Sequence, residues 1–104
     1  MGARERMVTA VSNQKYVVVT TEYKGVFFGL LVGIRDGTAT LEKARNCLYW
    51  SQDVRGVFGL AATGPTPSCR IGPEVPSLIV MKMTSLAEAT PDAVKAWQAA
   101  PWRV

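Results

Sequence analysis

The spacing of apolar and polar positions changes several times along the chain, and each change predicts a different kind of element. Tyr16-Val-Val-Val-Thr-Thr21 is dense in β-branched and aromatic residues, which predicts a strand. Lys24-Gly25 marks a short turn, and Val26 to Ile34 forms a second apolar run. Gly29 and Gly33 inside that run point to a bulge or a close backbone approach. Asp36-Gly37 is a hairpin signal leading into Thr38-Ala-Thr-Leu41. Residues 15–42 therefore read as a three-stranded antiparallel meander. From Glu42 to Pro76 the chain is punctuated by Gly56, Gly59, Gly64 and Gly72 and by Pro65, Pro67, Pro73 and Pro76. That punctuation predicts no helix of normal length, only short strands near Cys47–Trp50, Val57–Ala61 and Cys69–Ile71. Ser77 to Leu86 reads as one last long strand. Thr90-Pro91-Asp92 then opens a helix, with Thr as N-cap, Pro in the first turn and an acid beside it. Ala93, Val94 and Trp97 give that helix one apolar stripe, and Pro101 stops it.

The predicted fold is thus mainly β: a small antiparallel sheet or barrel-like domain with one C-terminal helix. Residues 1–14 read as a flexible N-terminal segment, with a short strand over Val8–Val11, and 15–104 as a single β-rich domain. Lys24-Gly-Val-Phe-Phe-Gly-Leu30 echoes Arg55-Gly-Val-Phe-Gly-Leu60. The simple reading is two turns that each enter a strand. The alternative is that they set Lys24 and Arg55 side by side at one end of the sheet.

Composition narrows the function. At 104 residues and 48% hydrophobic, the chain is one domain with more apolar surface than so small a fold readily hides, which favours a homo-oligomer. Histidine is absent, which removes Ser-His-Asp and Cys-His catalysis and His-ligated metals together. The formal net charge of +4 suits anionic partners. Without a basic cluster or basic helix it does not demand nucleic acid. No apolar run follows the charged Met1–Met7 as in a secretory signal, and the nine residues Val26–Ile34 are too few to cross a bilayer as a helix. These features predict a cytoplasmic protein without a membrane segment. Cys47 and Cys69 lack CxxC spacing and read as buried, reduced thiols. A disulfide between them and a thiol activated by Arg45 or Arg70 are the alternatives.

The stretch from Lys43 to Arg70 is the one that could carry chemistry. It holds Lys43, Arg45, Arg55 and Arg70 against the single acid Asp53, four minus one, so +3 of the net +4. Guanidinium groups match phosphate geometry and stack on rings. Tyr49 and Trp50 are adjacent, so in a strand they point to opposite faces and one is left to stack on a flat ligand. Gly64, with Thr66 and Ser68 near it, could offer backbone N–H groups and hydroxyls to phosphate oxygens. Arg45, Tyr49, Trp50, Arg55, Gly64, Thr66, Ser68 and Arg70 are therefore the candidate ligand-binding residues. Each also has a plainer reading: an ion pair with Asp53 or Glu42, a core aromatic, a rigid turn. No paired carboxylates, metal cluster or nucleophile with a base is evident, so neither an enzyme nor a cofactor is expected.

Ala44-Arg-Asn-Cys-Leu-Tyr-Trp50, Arg55-Gly-Val-Phe-Gly-Leu-Ala61, Gly64-Pro65 and Cys69-Arg-Ile71 carry a resemblance. Over roughly Lys15 to Trp102 the chain resembles small proteins of tailed bacteriophages and prophages that carry a domain of unknown function. The resemblance implies a phage-encoded protein of the host cytoplasm, of the kind that counters host immunity by sequestering nucleotide signals. In that case Arg45, Arg55 and Arg70 would hold phosphates of a cyclic nucleotide, and Tyr49 or Trp50 would stack on its base. The alternative is a small phage structural or protein-interaction module, acting in assembly or as an inhibitor of a host protein.

Overall fold

A computed structural model describes residues 9–22 and 25–101. The order is β1 (Thr9–Thr21), β2 (Val26–Arg35), β3 (Thr38–Tyr49), a 3-10 turn (Gln52–Val54), α1 (Gly56–Ala62), β4 (Arg70–Ile71), β5 (Val75–Val80), β6 (Met83–Glu88) and α2 (Pro91–Ala99). The protein is mainly β, with a C-terminal helix, as the residue pattern predicts. The meander is present, β1 pairing antiparallel with β2 and β2 with β3. It is longer than expected at both ends. β1 begins at Thr9, so 9–14 is strand and not a flexible lead; residues 1–8, with the start of the short strand expected at Val8, lie outside the described residues. β3 runs on to Tyr49 and absorbs most of the short strand expected at Cys47–Trp50.

The stretch read as one strand from Ser77 is two. Lys82 takes a left-handed backbone (φ 56°), and the chain turns a corner at Met81-Lys82. Before the corner β5 pairs with β3, Leu78 facing Leu41 in register. After it β6 pairs with β1, Leu86 facing Val19. The sheet order β5-β3-β2-β1-β6 therefore begins and ends on strands only two residues apart. The sheet must curl to allow this, which gives the barrel-like form. The Met83 N–H donates to the Gly37 carbonyl (2.8 Å), fixing the corner to the β2–β3 turn.

This curl explains why Val17, Val18 and Val19 are all buried. Val17 and Val19 pack inside the curl with Ala39, Leu41, Ala44 and Val80. Val18 faces the other way, with Phe28, Cys47 and Ile71, onto α1 and α2. A sheet covered on both faces reads in sequence as an unbroken apolar run. On the helical side three rings stack in sequence. Tyr16 lies 5.2 Å from Phe28 and Phe28 4.9 Å from Trp97, both nearly parallel. The Trp97 indole N–H donates to the Leu60 carbonyl (2.9 Å), tying α2 to α1. α2 starts as expected: the Thr90 hydroxyl accepts the Ala93 N–H (3.1 Å) and Pro91 occupies the first turn.

The strand expected at Val57–Ala61 is instead α1, a helix of only seven residues, so the middle of the chain holds a short helix where only short strands are expected. Arg55 (φ 66°) and Gly56 (φ 77°) redirect the backbone into it. Within it Val57, Leu60 and Ala61 recur at i, i+3 and i+4 and meet the core. Gly59 makes that packing possible. A Cβ there would lie 1.5 Å from the Val54 carbonyl oxygen, so helix and 3-10 turn touch backbone to backbone. Lys24 is outside the described residues, so its expected approach to Arg55 is not part of the structure.

Candidate functional site

Arg45 departs furthest from its expected role. Lys43 adopts φ 50° and makes a bulge in β3, where the pairing with β2 shifts register. The bulge turns consecutive residues Ala44 and Arg45 inward to opposite faces. Arg45 is only 6% exposed. Its Nε donates to the Gly72 carbonyl (2.8 Å), and one terminal nitrogen donates to the carbonyls of Trp97 (2.7 Å) and Ala100 (2.6 Å). Burial lowers its pKa from the usual guanidinium value, and Glu74 acts in the opposite direction. The charge thus satisfies carbonyls at the C-terminus of α2, where the helix dipole favours a cation. It is a structural strut rather than a phosphate ligand.

Gly64 is likewise accounted for by the fold. It sits just past α1 with φ 83°, its N–H donating to the Gly59 carbonyl (3.1 Å), a glycine helix stop. Its bare Cα lets α2 approach, since a Cβ would lie 2.6 Å from that of Ala96. Thr66 is engaged too. Its hydroxyl lies 3.3 Å from the Ser51 hydroxyl and 3.6 Å from the Cys69 sulfur, and it donates to the Asp53 carboxylate (3.4 Å). Ser51 also donates to Asp53. This net holds the 3-10 turn against the loop before β4, and it commits the one acid of the stretch to hydroxyls rather than to an arginine.

Tyr49 and Arg70 are brought together: they are cross-strand partners where β4 joins β3. Both are exposed, Tyr49 at 52%, and Leu48 beside it is also 52% exposed. Trp50 is half-buried and packs on the helical core, so of the two aromatics it is Tyr49 that faces water. Cys47, Leu48, Tyr49 and Trp50 line a shallow trough here, and none of the expected arginines lines it. Arg55 and Ser68 are exposed, and among the described residues neither Arg55 nor Arg70 makes an ion pair. The three guanidinium groups expected to meet do not, because Arg45 is spent inside. Phe58, 80% exposed on α1, is absent from the expected site, because a strand over Val57–Ala61 gives no reason to single it out. The apolar stripe of a helix, with Phe58 off it, is the signal that finds it.

Cys47 and Cys69 are both buried and unbridged, matching the simple expectation of reduced thiols. The Cys47 thiol donates to the Tyr49 carbonyl (3.4 Å). Burial, with a smaller push from Cys69, raises its pKa to about 12 against the opposing pull of that hydrogen bond. That direction is opposite to the one an activated thiolate at Cys47 needs. A separate apolar groove of about 210 Å³ lies between Pro65, Thr66, Pro67 and Cys69 and the end of α2 at Ala96, Ala99, Ala100 and Pro101. Among the described residues no three His, Cys, Asp or Glu side chains gather to hold a metal, and no helix is long and apolar enough to cross a membrane.

Fold and surface together define a small curled antiparallel β domain with two helices on one face and an exposed aromatic–arginine edge. The chain belongs to the family described as Domain of unknown function (DUF6948), whose model matches residues 14–97. No curated protein and no solved structure matches the chain.

Proposed function

We propose that the protein is a non-catalytic interaction module, phage-encoded as its sequence resemblance implies, that docks a partner protein on the edge formed by Leu48, Tyr49 and Arg70. The observation that carries this reading is the Tyr49–Arg70 pair: two exposed cross-strand neighbours beside an exposed leucine, the arginine making no ion pair among the described residues. Tyrosine and arginine are among the side chains that most often anchor interfaces, and a shallow, open trough suits a protein surface better than an enclosed small-molecule site. The net charge of +4 favours an acidic partner, and the setting is the host cytoplasm.

The test is capture from lysate of the bacterial host, run in parallel with wild type and with the Tyr49→Ala/Arg70→Ala double variant. A partner retained by the first and lost by the second supports the reading. Equal capture by both overturns it.

A second reading keeps the nucleotide sponge, with Tyr49 stacking on a base and Arg70 and Arg55 taking phosphates. What favours it is that both arginines are exposed and, among the described residues, outside any ion pair. What weighs against it is the loss of Arg45 and Gly64 to structural roles. Thermal melting against cyclic and linear nucleotides decides: a ligand at a hundred times its dissociation constant stabilises by about 2.7 kcal/mol. A flat panel removes this reading and leaves the first.

A further inference from the structure

The groove of about 210 Å³ beside the end of α2 has Pro65 and Pro67 on one side and Ala99, Ala100 and Pro101 on the other, and the buried Cys69 lines it as well. None of its lining residues carries a charge. Its walls are stiff, because proline has a fixed φ and alanine has no rotamer freedom to lose. A preformed groove of this kind takes an occupant at little cost in ordering. Its size and its uncharged, side-chain-poor walls suit one flat aromatic ring.

The chain itself runs out of this groove. Pro101 is both a wall of it and the last described residue, and the next residue is Trp102. The exit is directed by the fold. The Arg45 guanidinium holds the Ala100 carbonyl at 2.6 Å. Ala100 is extended (φ −61°, ψ 127°), the conformation favoured before a proline, and Pro101 fixes the φ that follows. Along an extended chain residues two apart share a face. Ala100 lines the groove, so this exit delivers position 102 to the same side. Residues 102–104 are Trp-Arg-Val, and Trp102 is the large apolar side chain among them. A tether of one residue gives its indole a very high effective concentration at the groove. The indole also suits a groove open on one side, since its body is apolar while its N–H can stay in water.

We propose that Trp102 is the occupant of this groove: its indole folds back against the prolines and alanines, straps the end of α2 to the loop before β4, and closes over Cys69. Arg45 then has a second consequence beyond satisfying carbonyls, because its grip on Ala100 aims the strap. Access to Cys69 is gated by Trp102 and not by the sheet. The strap is separate from the Tyr49–Arg70 edge and does not rest on the docking reading.

Fluorine NMR on the full chain carrying 5-fluorotryptophan tests this, with circular dichroism to confirm that each variant is folded. The three tryptophans give three signals, and the one lost in Trp102→Phe belongs to Trp102. In wild type a soluble paramagnetic agent should broaden that signal at least threefold less than it does in urea. Ala99→Glu, at an exposed position of α2, sets a charge in the groove wall and should bring the broadening to the level seen in urea. Cys69 supplies a second readout. In a Cys47→Ala background it is the single thiol, and Trp102→Ala should speed its reaction with a thiol reagent at pH 8 at least fivefold. Trp102→Phe, which keeps a ring, should speed it less than Trp102→Ala does. A wild-type Trp102 signal as broadened as in urea overturns the proposal. So does a protected signal that ignores Ala99→Glu, or a Cys69 rate that Trp102→Ala leaves unchanged. Protection that grows with protein concentration overturns it too, since the occupant is then supplied by a second copy. The Tyr49→Ala/Arg70→Ala variant should leave both readouts as in wild type, so failure here and failure of the docking reading are separable.

Discussion

The Arg45 guanidinium lies 2.7 Å from the Trp97 carbonyl oxygen, joining the bulge of β3 to the last turn of α2 across 52 residues of sequence. The same side chain reaches Ala100 and Gly72, so a single cation closes the helix end and anchors the loop between β4 and β5. Removing it would strand three carbonyls that it now satisfies. Arg45→Met keeps much of the volume and removes every donor. Each buried polar group left without a partner costs about 1–3 kcal/mol, so Arg45→Met should lower stability by about 3 kcal/mol in urea unfolding. A variant as stable as wild type would show that the buried guanidinium contributes nothing net. Glu74→Lys should be folded, since Glu74 touches Arg45 only through its field.

The ring stack makes a second prediction. Phe28 and Trp97 are both fully buried, and their rings lie 4.9 Å apart. Truncating a buried aromatic costs about 3–5 kcal/mol, a large share of the stability of a domain this size. Trp97→Ala should therefore leave the chain largely unfolded at 37 °C by circular dichroism. Trp97→Phe retains the stack and loses the indole donor to Leu60, so it should fold with a lower melting temperature. If Trp97→Ala melts with wild type, the helical layer is not needed to hold the sheet.

What the sequence discloses follows from which forces are local. The meander over 15–42 is legible because Tyr16–Thr21, the Asp36-Gly37 turn and the β-branched residues beside it each favour the same local geometry. The cap of α2 is legible for the same reason, Thr90 and Pro91 acting within one turn. Arg45 is not, because its partners lie on the Gly72 loop and on α2, and nothing in Ala44-Arg-Asn announces a bulge at Lys43. Val57–Ala61 is ambiguous by pattern alone: a short apolar run suits a buried strand or a short helix, and the left-handed Arg55-Gly56 step decides it. The split at Met81-Lys82 is set by the curl of the whole sheet. Of the candidate site, Tyr49, Arg55, Ser68 and Arg70 stand at the surface, while Gly64 and Thr66 have structural work that only the packed neighbours reveal.

Gly59 offers a sharper test of local packing. Its hydrogen points at the Val54 carbonyl oxygen, where a methyl group would sit at 1.5 Å. In an open helix Gly→Ala is stabilising, because alanine has the higher helix propensity by about 1 kcal/mol. Here the sign should invert. Gly59→Ala should lower the melting temperature by many degrees or prevent folding, while Gly56→Ala, with nothing within 4 Å but φ 77°, should cost far less. Equal effects at the two positions would mean that α1 does not touch the 3-10 turn.

The Cys47 thiol links stability to alkaline pH. Its pKa is raised from 9.0 to about 12, chiefly by burial. Below pH 9 the thiol is protonated whether the chain is folded or unfolded, and it favours the folded state fully. Between pH 9 and about 12 the unfolded chain releases this proton while the folded chain holds it. The unfolded state then binds fewer protons, so stability falls as pH rises through that window. Urea unfolding of wild type against Cys47→Ala at pH 7 and pH 10.5 isolates this contribution. The stability difference between the two proteins should shift in favour of the alanine variant on going to the higher pH. A thiol reagent at pH 8 should likewise label Cys47 slowly in the folded protein and rapidly in urea. Rapid labelling of the folded chain, or a pH slope shared equally by both proteins, would mean that the thiol is open to water.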